Sequence, residues 1–217
     1  MKTIEVSKLN TTERIPSMAE VSARLDELGK GHAIDTVNWK DFSYKPGVRF
    51  NIAWGENEIY LKYYVRESNV KAEKSKTNEM VCEDSCVEFF VSPSDDGLYY
   101  NLEFNPIGTA LMGSGHGRHD STRADARIVD GIRRLTSMGD APFGEIRGDL
   151  QWTITLAIPL ETFFHHKTGS LKGKSFRANF YKCGDKLSNP HFVTWNPVGT
   201  EKPDYHRPEH FGILKFV

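Results

Sequence analysis

Apolar and polar residues alternate along most of this chain, and this alternation limits the possible folds more than any other feature. A spacing of two places side chains on one face of a β-strand, so each alternating run predicts a strand with one buried face. The inward-facing sets are Phe50, Ile52 and Trp54; Ile59, Leu61, Tyr63 and Val65; Trp152, Ile154, Leu156 and Ile158; and Phe176, Ala178 and Phe180. Many half-buried strands of this kind predict an all-β sandwich or barrel.

One amphipathic helix is predicted near the N-terminus. A capping box stands at Ser17-Met18-Ala19-Glu20, and Gly29 follows an apolar stripe. That stripe consists of Met18, Val21, Leu25 and Leu28. We therefore expect a helix over 17–29 that packs on the sandwich. No internal repeat or linker divides the chain, which predicts a single domain over 1–217.

The charge balance argues against one class of partner. The 217 residues include 28 basic and 29 acidic ones, with a net charge of -1 and no basic cluster. We therefore expect no nucleic-acid partner, because such a protein needs positive charge to neutralise phosphates. No apolar run is long enough to span a membrane. We expect a monomer that does not associate with membranes.

The three cysteines, Cys82, Cys86 and Cys183, are predicted to be free thiols. No second cysteine pair completes a zinc site beside Cys82 and Cys86. On one extended strand those two would lie about 13 Å apart, too far for a disulfide. Free thiols favour a reducing compartment. Met1 to Asn10 lacks the apolar segment of a signal peptide, so we expect a cytoplasmic protein or one whose leader is not part of this sequence.

A second hairpin, Cys86–Val91 with Leu98–Phe104, is predicted to carry a polar face. Pairing Phe89 with Tyr100 sets apolar residues opposite each other on the buried face. The same register collects Asp84, Cys86 and Glu88 with Asn101, Glu103 and Asn105 on the other face. Tyr64 and Arg66, and then Arg177, Asn179 and Tyr181, would extend this surface if their strands join the sheet. Such groups can hydrogen-bond to adjacent hydroxyls of a ligand. The alternative is a solvated face whose side chains form salt bridges with each other.

The C-terminal run from Thr194 to Gly212 is dense in aromatic and polar residues, and its prolines forbid a helix. Apolar rings beside planar polar groups suit a sugar, and Trp195 and His206 are the leading candidates for contacting one. The alternative is a proline-rich loop that leads into a closing strand.

Taken together, these residues resemble the family 9 carbohydrate-binding modules and their DOMON-like relatives. The matching pieces are Phe50 to Trp54, Glu83 to Phe90, Tyr99 to Asn105 with Gly108, Arg177 to Tyr181, Trp195 to Pro197, and His206 to Gly212. The resemblance implies a jelly-roll-like antiparallel β-sandwich that binds sugars, often within secreted xylan-degrading proteins of carbohydrate catabolism.

The resemblance also implies roles for particular residues. Trp195 is similar to the second of two tryptophans that clamp a terminal sugar ring, and Glu88 matches a sugar-contacting carboxylate. The first tryptophan of the clamp falls near Cys82, where this chain has Met80-Val81-Cys82 and no aromatic residue. Structural calcium is common in the family, and Ser94-Asp95-Asp96 is a candidate loop for it.

A glycoside hydrolase is the main alternative function. Glu88 and Glu103 are predicted diagonal neighbours roughly 7–8 Å apart, within the range of inverting enzymes. However, an open sheet face near Lys62, Arg66 and Arg177 would keep both carboxylates ionised, so we expect no catalysis. Two further hypotheses have less support in the sequence. One is haem ligation by Met80 and His191, and the other is metal binding at His116, His119 and Asp120. No cofactor is therefore expected apart from calcium. The sequence does not settle the compartment.

Overall fold

The computed structural model describes residues 1–217 as a sandwich of two β-sheets with a helix at one side. The elements are β1 (Thr3–Val6), α1 (Met18–Asp26), β2 (His32–Ala33), β3 (Thr36–Val37), β4 (Gly47–Trp54), β5 (Glu58–Ala72), β6 (Cys86–Ser92), β7 (Tyr99–Phe104), β8 (Ala110–Gly115), β9 (Thr122–Arg123), α2 (Ala126–Asp130), β10 (Arg133–Thr136), β11 (Phe143–Pro159), β12 (Ser175–Cys183), β13 (Phe192–Thr194) and β14 (Gly212–Phe216). The nine-stranded sheet has the order β1-β14-β12-β6-β7-β8-β9; β13 also pairs with β12, and β3 pairs with β13. The five-stranded sheet has the order β10-β11-β5-β4-β2. The predicted all-β antiparallel sandwich is confirmed, and β1 with β14 is its parallel exception.

The core lies between the two sheets and is built from the alternating apolar sets. Phe180 of β12 stacks on Phe50 of β4 across the sandwich, with ring centroids 3.8 Å apart. Phe89 of β6 stacks on the same Phe180 ring at 5.0 Å. The first stack joins the two sheets and the second joins neighbouring strands of one sheet, so burial of the Phe180 ring helps fix how the sheets pack.

The predicted helix forms, but it ends at Asp26 rather than Gly29. The Ser17 hydroxyl accepts from the Glu20 amide as expected, at 3.2 Å. The Glu20 carboxylate accepts from the backbone and hydroxyl of Thr12, so it does not complete the capping box on Ser17. Leu28 lies beyond the helix and is 46% exposed, so the buried stripe stops earlier than the pattern indicated. Neither α-helix has the length and apolar character needed to cross a membrane.

The hairpin of β6 and β7 has a different register from the predicted one. Val91 pairs with Tyr100 and Phe89 with Leu102, so the strands are shifted by two residues relative to a Phe89–Tyr100 pairing. A shift of two keeps every side chain on its predicted face, and both registers set apolar residues opposite each other. The observed register places Glu88 directly opposite Glu103 instead of diagonal to it.

The polar outer face of the nine-stranded sheet is buried and not open to solvent. The C-terminal segment of residues 196–211, hereafter the C-terminal strap, lies across it. Tyr205 of the strap stacks on Tyr181 of β12 at 4.0 Å and donates its hydroxyl to the Lys182 carbonyl at 3.1 Å. Trp39 and Phe211 pack in the same cluster. The sequence pattern identifies the face but cannot show that a distant segment covers it.

Candidate ligand-binding cavity

A cavity of about 510 Å³ opens on this covered outer face, between the sheet and the C-terminal strap. Its chemically active lining consists of the acids Glu88, Glu103, Asp185 and Asp204; the bases Arg118 and Arg123; the thiols of Cys82 and Cys183; and the rings of Phe192, Tyr205 and His206. A volume of this size is within the usual range for small-molecule sites, roughly 300–1,000 Å³. The cavity therefore has the room and the polar groups to bind a small ligand.

A pair of buried carboxyl groups lies in the wall of this cavity. Glu88 is 3% exposed and Glu103 is 6% exposed, and they face each other from adjacent strands. Glu88 Oε1 lies 3.1 Å from the Cys183 thiol, and Glu103 Oε1 accepts from the Asn101 amide at 2.9 Å. Burial, and then the neighbouring Glu103, raise the pKa of Glu88 well above its usual range. Burial also raises the pKa of Glu103, to about 7.

Two arginines supply positive charge to the same cavity. Arg118 Nη2 lies 2.9 Å from Asp204 Oδ1, and half of the Arg118 side chain stays exposed. Arg123 Nη2 contacts the Met80 sulfur at 3.3 Å. Guanidinium groups so placed can donate to ligand oxygens while the acid pair accepts or donates.

His206 forms part of the cavity wall as a neutral ring. Burial, and then Arg118, lower the pKa of His206 to about 4. Its Nδ1 lies 2.7 Å from the Tyr99 hydroxyl. Near neutral pH the ring therefore offers a hydrogen-bonding edge and an apolar face without adding charge.

The structure brings together part of the predicted site. Glu88, Glu103 and His206 line the cavity, and the Asn101 amide donates a hydrogen bond to Glu103. Arg118, Arg123 and Asp185 also line the cavity and were not predicted, because they come from loops or strand ends without a recognisable pattern. The nearest sequence signal is the polar stretch around His116 to Asp120, which suggests only a metal site.

Four predicted residues lie on the correct face but have structural contacts instead of lining the cavity. Asp84 accepts from the Lys74 amide at 2.9 Å and from Asn105 at 3.0 Å. The other three bind carbonyls of the strap: Arg177 donates to Pro208 at 2.9 Å, Asn179 to Asn196 at 3.0 Å and Tyr181 to Tyr205 at 3.2 Å. These groups hold the strap over the sheet and thereby form one side of the cavity.

Tyr64 and Arg66 lie away from this cavity, because their strand does not join the sheet that carries the acid pair. Both lie on β5 in the other sheet. Tyr64 donates to Asp26 and stacks under the Arg49 guanidinium, 3.5 Å from the ring centroid. Arg66 binds Asp149 through Nε at 2.6 Å. Lys62 of the same strand pairs with Asp26 at 2.8 Å, so none of these cations holds the acid pair ionised.

Trp195 is a core residue, so its predicted stacking on a sugar does not fit the structure. Its side chain is 3% exposed, and its ring packs edge-on against Phe180 at 5.6 Å and Phe50 at 6.4 Å. A Cβ atom on Gly212 would collide with the same ring, which explains why a glycine follows Phe211. The aromatic surfaces that reach the cavity are Phe192 and Tyr205 instead.

The haem and histidine-metal alternatives gain no support. His191 accepts from the Lys182 ammonium at its Nε2, 2.7 Å away, and its Nδ1 lies 3.1 Å from the Asn189 carbonyl. Both ring nitrogens are thus engaged. Asp120 accepts from the backbone amides of His116 and Gly117, at 3.0 and 2.6 Å, and so closes a turn.

The fold and the cavity define a class of protein: a β-sandwich with a polar pocket over one sheet, roofed by its C-terminal segment. Residues 22–216 match the family described as carbohydrate-binding family 9. A solved structure of a candidate carbohydrate-binding protein from Bacteroides uniformis is 43% identical, with a TM-score of 0.95, and the alignment covers 100% of this chain and 99% of that one. The chain belongs to carbohydrate-binding family 9.

Two more distant structures share the fold. Both are described as family 9 carbohydrate-binding modules from Caldicellulosiruptor kristjanssonii. One, in complex with glucose, is 12% identical with a TM-score of 0.63, and the alignment covers 100% of this chain and 96% of that one. The other, in complex with cellotriose, is 13% identical with a TM-score of 0.62, covering 99% and 93%. Among curated proteins, none matches the sequence.

Proposed function

We propose that this protein binds a carbohydrate without catalysis, in the cavity beside Glu88 and Glu103. The observation that carries the proposal is the buried acid pair, which faces a cavity of about 510 Å³. Its carboxyl oxygens directly contact Cys183 and Asn101 rather than a lysine or arginine. Sugar hydroxyls both donate and accept, so they suit carboxyl groups in either protonation state. Membership of carbohydrate-binding family 9 supports the same conclusion.

The remaining cavity groups suit the two kinds of surface on a sugar ring. Arg118 and Arg123 can donate to ring and hydroxyl oxygens, and their fork geometry suits adjacent hydroxyls. The rings of Phe192 and Tyr205 can pack against sugar C–H groups, in the role first assigned to Trp195. Glucose and cellotriose are bound by the two Caldicellulosiruptor modules. We therefore propose a plant-type gluco- or xylo-oligosaccharide as the class of ligand.

Calorimetric titration with glucose, cellotriose and xylo-oligosaccharides tests the proposal. We expect Arg118→Ala to weaken binding about tenfold or more, since a hydrogen bond to a charged group contributes about 1.5–3 kcal/mol. Glu88→Gln should weaken binding less, because the amide keeps one acceptor. Arg66→Ala is the matched control: it removes a similarly exposed arginine, also paired with an aspartate, from the other sheet.

An equal loss of sugar affinity in Arg118→Ala and Arg66→Ala would show that the cavity is not the binding site. Absence of binding to every sugar in the series would contradict the proposed ligand class.

The hydrolase alternative keeps one specific observation in its favour. Glu88 and Glu103 are directly opposed, and such pairs have Cβ atoms about 4.5–5.5 Å apart, close to the carboxyl spacing of about 5–5.5 Å in retaining enzymes. Retention, however, requires one ionised carboxylate beside one protonated acid. Here burial raises the pKa of both groups, that of Glu103 to about 7, so even the more acidic of the two is only partly ionised near neutral pH.

The open, cation-rich face expected from the sequence is not present: both carboxylates are buried, and Lys62, Arg66 and Arg177 bind other groups. Turnover of aryl glycosides or oligosaccharides that is lost in Glu103→Gln would establish the hydrolase instead.

A further inference from the structure

We propose that Cys86, Cys183 and Glu88 bind a thiophilic divalent cation of the zinc class at the floor of the cavity. This inference goes beyond carbohydrate binding and does not depend on it. Cys86 and Glu88 lie two residues apart on one face of β6, and Cys183 of β12 pairs directly with Cys86. The two thiol sulfurs and a carboxylate oxygen all lie within 4.8 Å of one another.

This spacing is close to that of a tetrahedral site. With Zn–S near 2.3 Å and Zn–O near 2.0–2.2 Å, tetrahedral ligands lie about 3.5–3.8 Å apart. Cys183 Sγ is already 3.1 Å from Glu88 Oε1. Small rotations of these side chains would therefore bring three ligand atoms around one ion without moving the strands.

The three ligands leave a fourth position on the cavity side. Cys183 and Glu88 line the cavity, whereas Cys86 is buried beneath it. An ion held by these three groups would complete its tetrahedron with a water molecule or a ligand oxygen from the cavity. Three protein ligands and an open position are the arrangement found in zinc sites that act on bound molecules.

The ligand set selects for soft or borderline ions. Two thiolates and a carboxylate suit Zn²⁺ or Cd²⁺, whereas Ca²⁺ and Mg²⁺ require mostly oxygen ligands. Each thiol must lose its proton when the S–metal bond forms, and that proton leaves through the cavity to solvent. Loading should therefore release protons and tighten as the pH rises.

The test is titration of the folded full-length chain with Zn²⁺ alone under reducing conditions, read by competition with a chromogenic chelator. Cd²⁺ serves as a second probe, because thiolate ligation produces a charge-transfer band in the near ultraviolet. We expect one ion per chain. Cys86→Ser and Cys183→Ser should each weaken Zn²⁺ binding at least about 100-fold, since even residues that only orient a metal ligand typically contribute 10- to 100-fold.

Cys82→Ser is the matched control. Its thiol lines the same cavity but is not part of the three-ligand set, so binding should be almost unchanged. Glu88→Gln keeps both thiols and should retain the Cd²⁺ band with lower affinity, which covers the case in which a cysteine variant fails to fold. The proposal is overturned if the wild-type chain binds no ion, if both cysteine variants bind normally, or if Cys82→Ser loses as much as they do.

Discussion

Glu67 and Glu88 are both buried carboxylates, but their surroundings differ. Glu67 of β5 lies between the two sheets, and its Oε2 is 2.8 Å from the ammonium of Lys182. Its Oε1 accepts from the Trp152 indole at 2.7 Å. Glu88 lies on the outer face of the nine-stranded sheet beside a second acid and a thiol. One carboxylate is matched within the fold, and the other faces a cavity.

Glu67, Trp152, Lys182 and His191 form a cluster between the sheets, hereafter the inner cluster, in which the two charged groups lie next to each other. Lys182 also donates to His191 Nε2 at 2.7 Å, and to the Cys183 carbonyl at 2.8 Å. Because an ammonium only donates, His191 must accept at Nε2 and carry its proton on Nδ1, facing the Asn189 carbonyl. Burial, and then Lys182, lower the pKa of His191 to about 2, which keeps the ring neutral.

The difference separates a structural use of buried charge from a functional one. A buried ion pair is costly to break, because the partner left behind has neither water nor a counter-charge. A buried acid pair that forms no direct ion pair remains available to protons, cations or ligand hydroxyls, and such groups cluster at functional sites. By this criterion Glu67 stabilises the fold, and Glu88 and Glu103 form the site.

The largest expected effect is on the inner cluster. Glu67→Gln should lower the free energy of unfolding by about 3–5 kcal/mol, because it leaves the Lys182 ammonium buried without a counter-charge. Chemical denaturation at neutral pH measures this change. Adding Lys182→Met to the same chain should recover part of the loss, since it removes the unpaired charge. A loss below about 1 kcal/mol in Glu67→Gln would mean that the Glu67–Lys182 pair does not stabilise the fold.

The second prediction uses pH to separate the two regions. The folded-state pKa of Glu103 is raised to about 7. Its contribution is therefore fully present below the unfolded value of about 4.3 and is lost as the pH rises to about 7. The folded-state pKa of His191 is lowered to about 2, so its contribution is present above the unfolded value of about 6.5 and falls as the pH decreases.

Between about pH 4.5 and 6.5 the two contributions therefore have opposite slopes, each about 1.4 kcal/mol per pH unit for one proton. Glu103→Gln should make stability rise more steeply with pH than in the parent. His191→Gln, whose amide oxygen can still accept from Lys182, should shift the slope of stability against pH in the opposite direction. Denaturation series at several pH values give these slopes as differences from the parent. If stability changes with pH equally steeply in the parent and in both variants, the pKa shifts assigned to Glu103 and His191 are wrong.

Sequence reasoning predicts which side chains share a face, because strand periodicity depends only on local spacing. It therefore identified Glu88, Asn101 and Glu103 as one group. The hairpin register was wrong by two residues, since Phe89 meets an apolar partner in either alignment.

Long-range burial lies beyond such reasoning. Glu67 is a charged residue just beyond the alternating apolar set that ends at Val65, yet β5 continues to Ala72 and buries it. Its partner Lys182 is more than a hundred positions away, and no local pattern pairs the two. The same limit explains Trp195: an aromatic residue in a polar, proline-rich stretch suggests a surface, whereas Phe50 and Phe180 enclose it.

The smallest expected effect repeats the first substitution in the second region. Glu88→Gln introduces the same chemical change as Glu67→Gln, in a side chain that is just as buried. Burial and Glu103 already raise the pKa of Glu88 well above its usual range, so the glutamine replaces a group with little tendency to ionise. No lysine is left unpaired, and repulsion with Glu103 is removed. We expect the free energy of unfolding to change by less than about 1 kcal/mol, in either direction. Denaturation of both variants under identical conditions makes the comparison. A loss in Glu88→Gln equal to that in Glu67→Gln would mean that the Glu88 carboxylate holds a charge on which the fold depends, and the distinction between the two sites would fail.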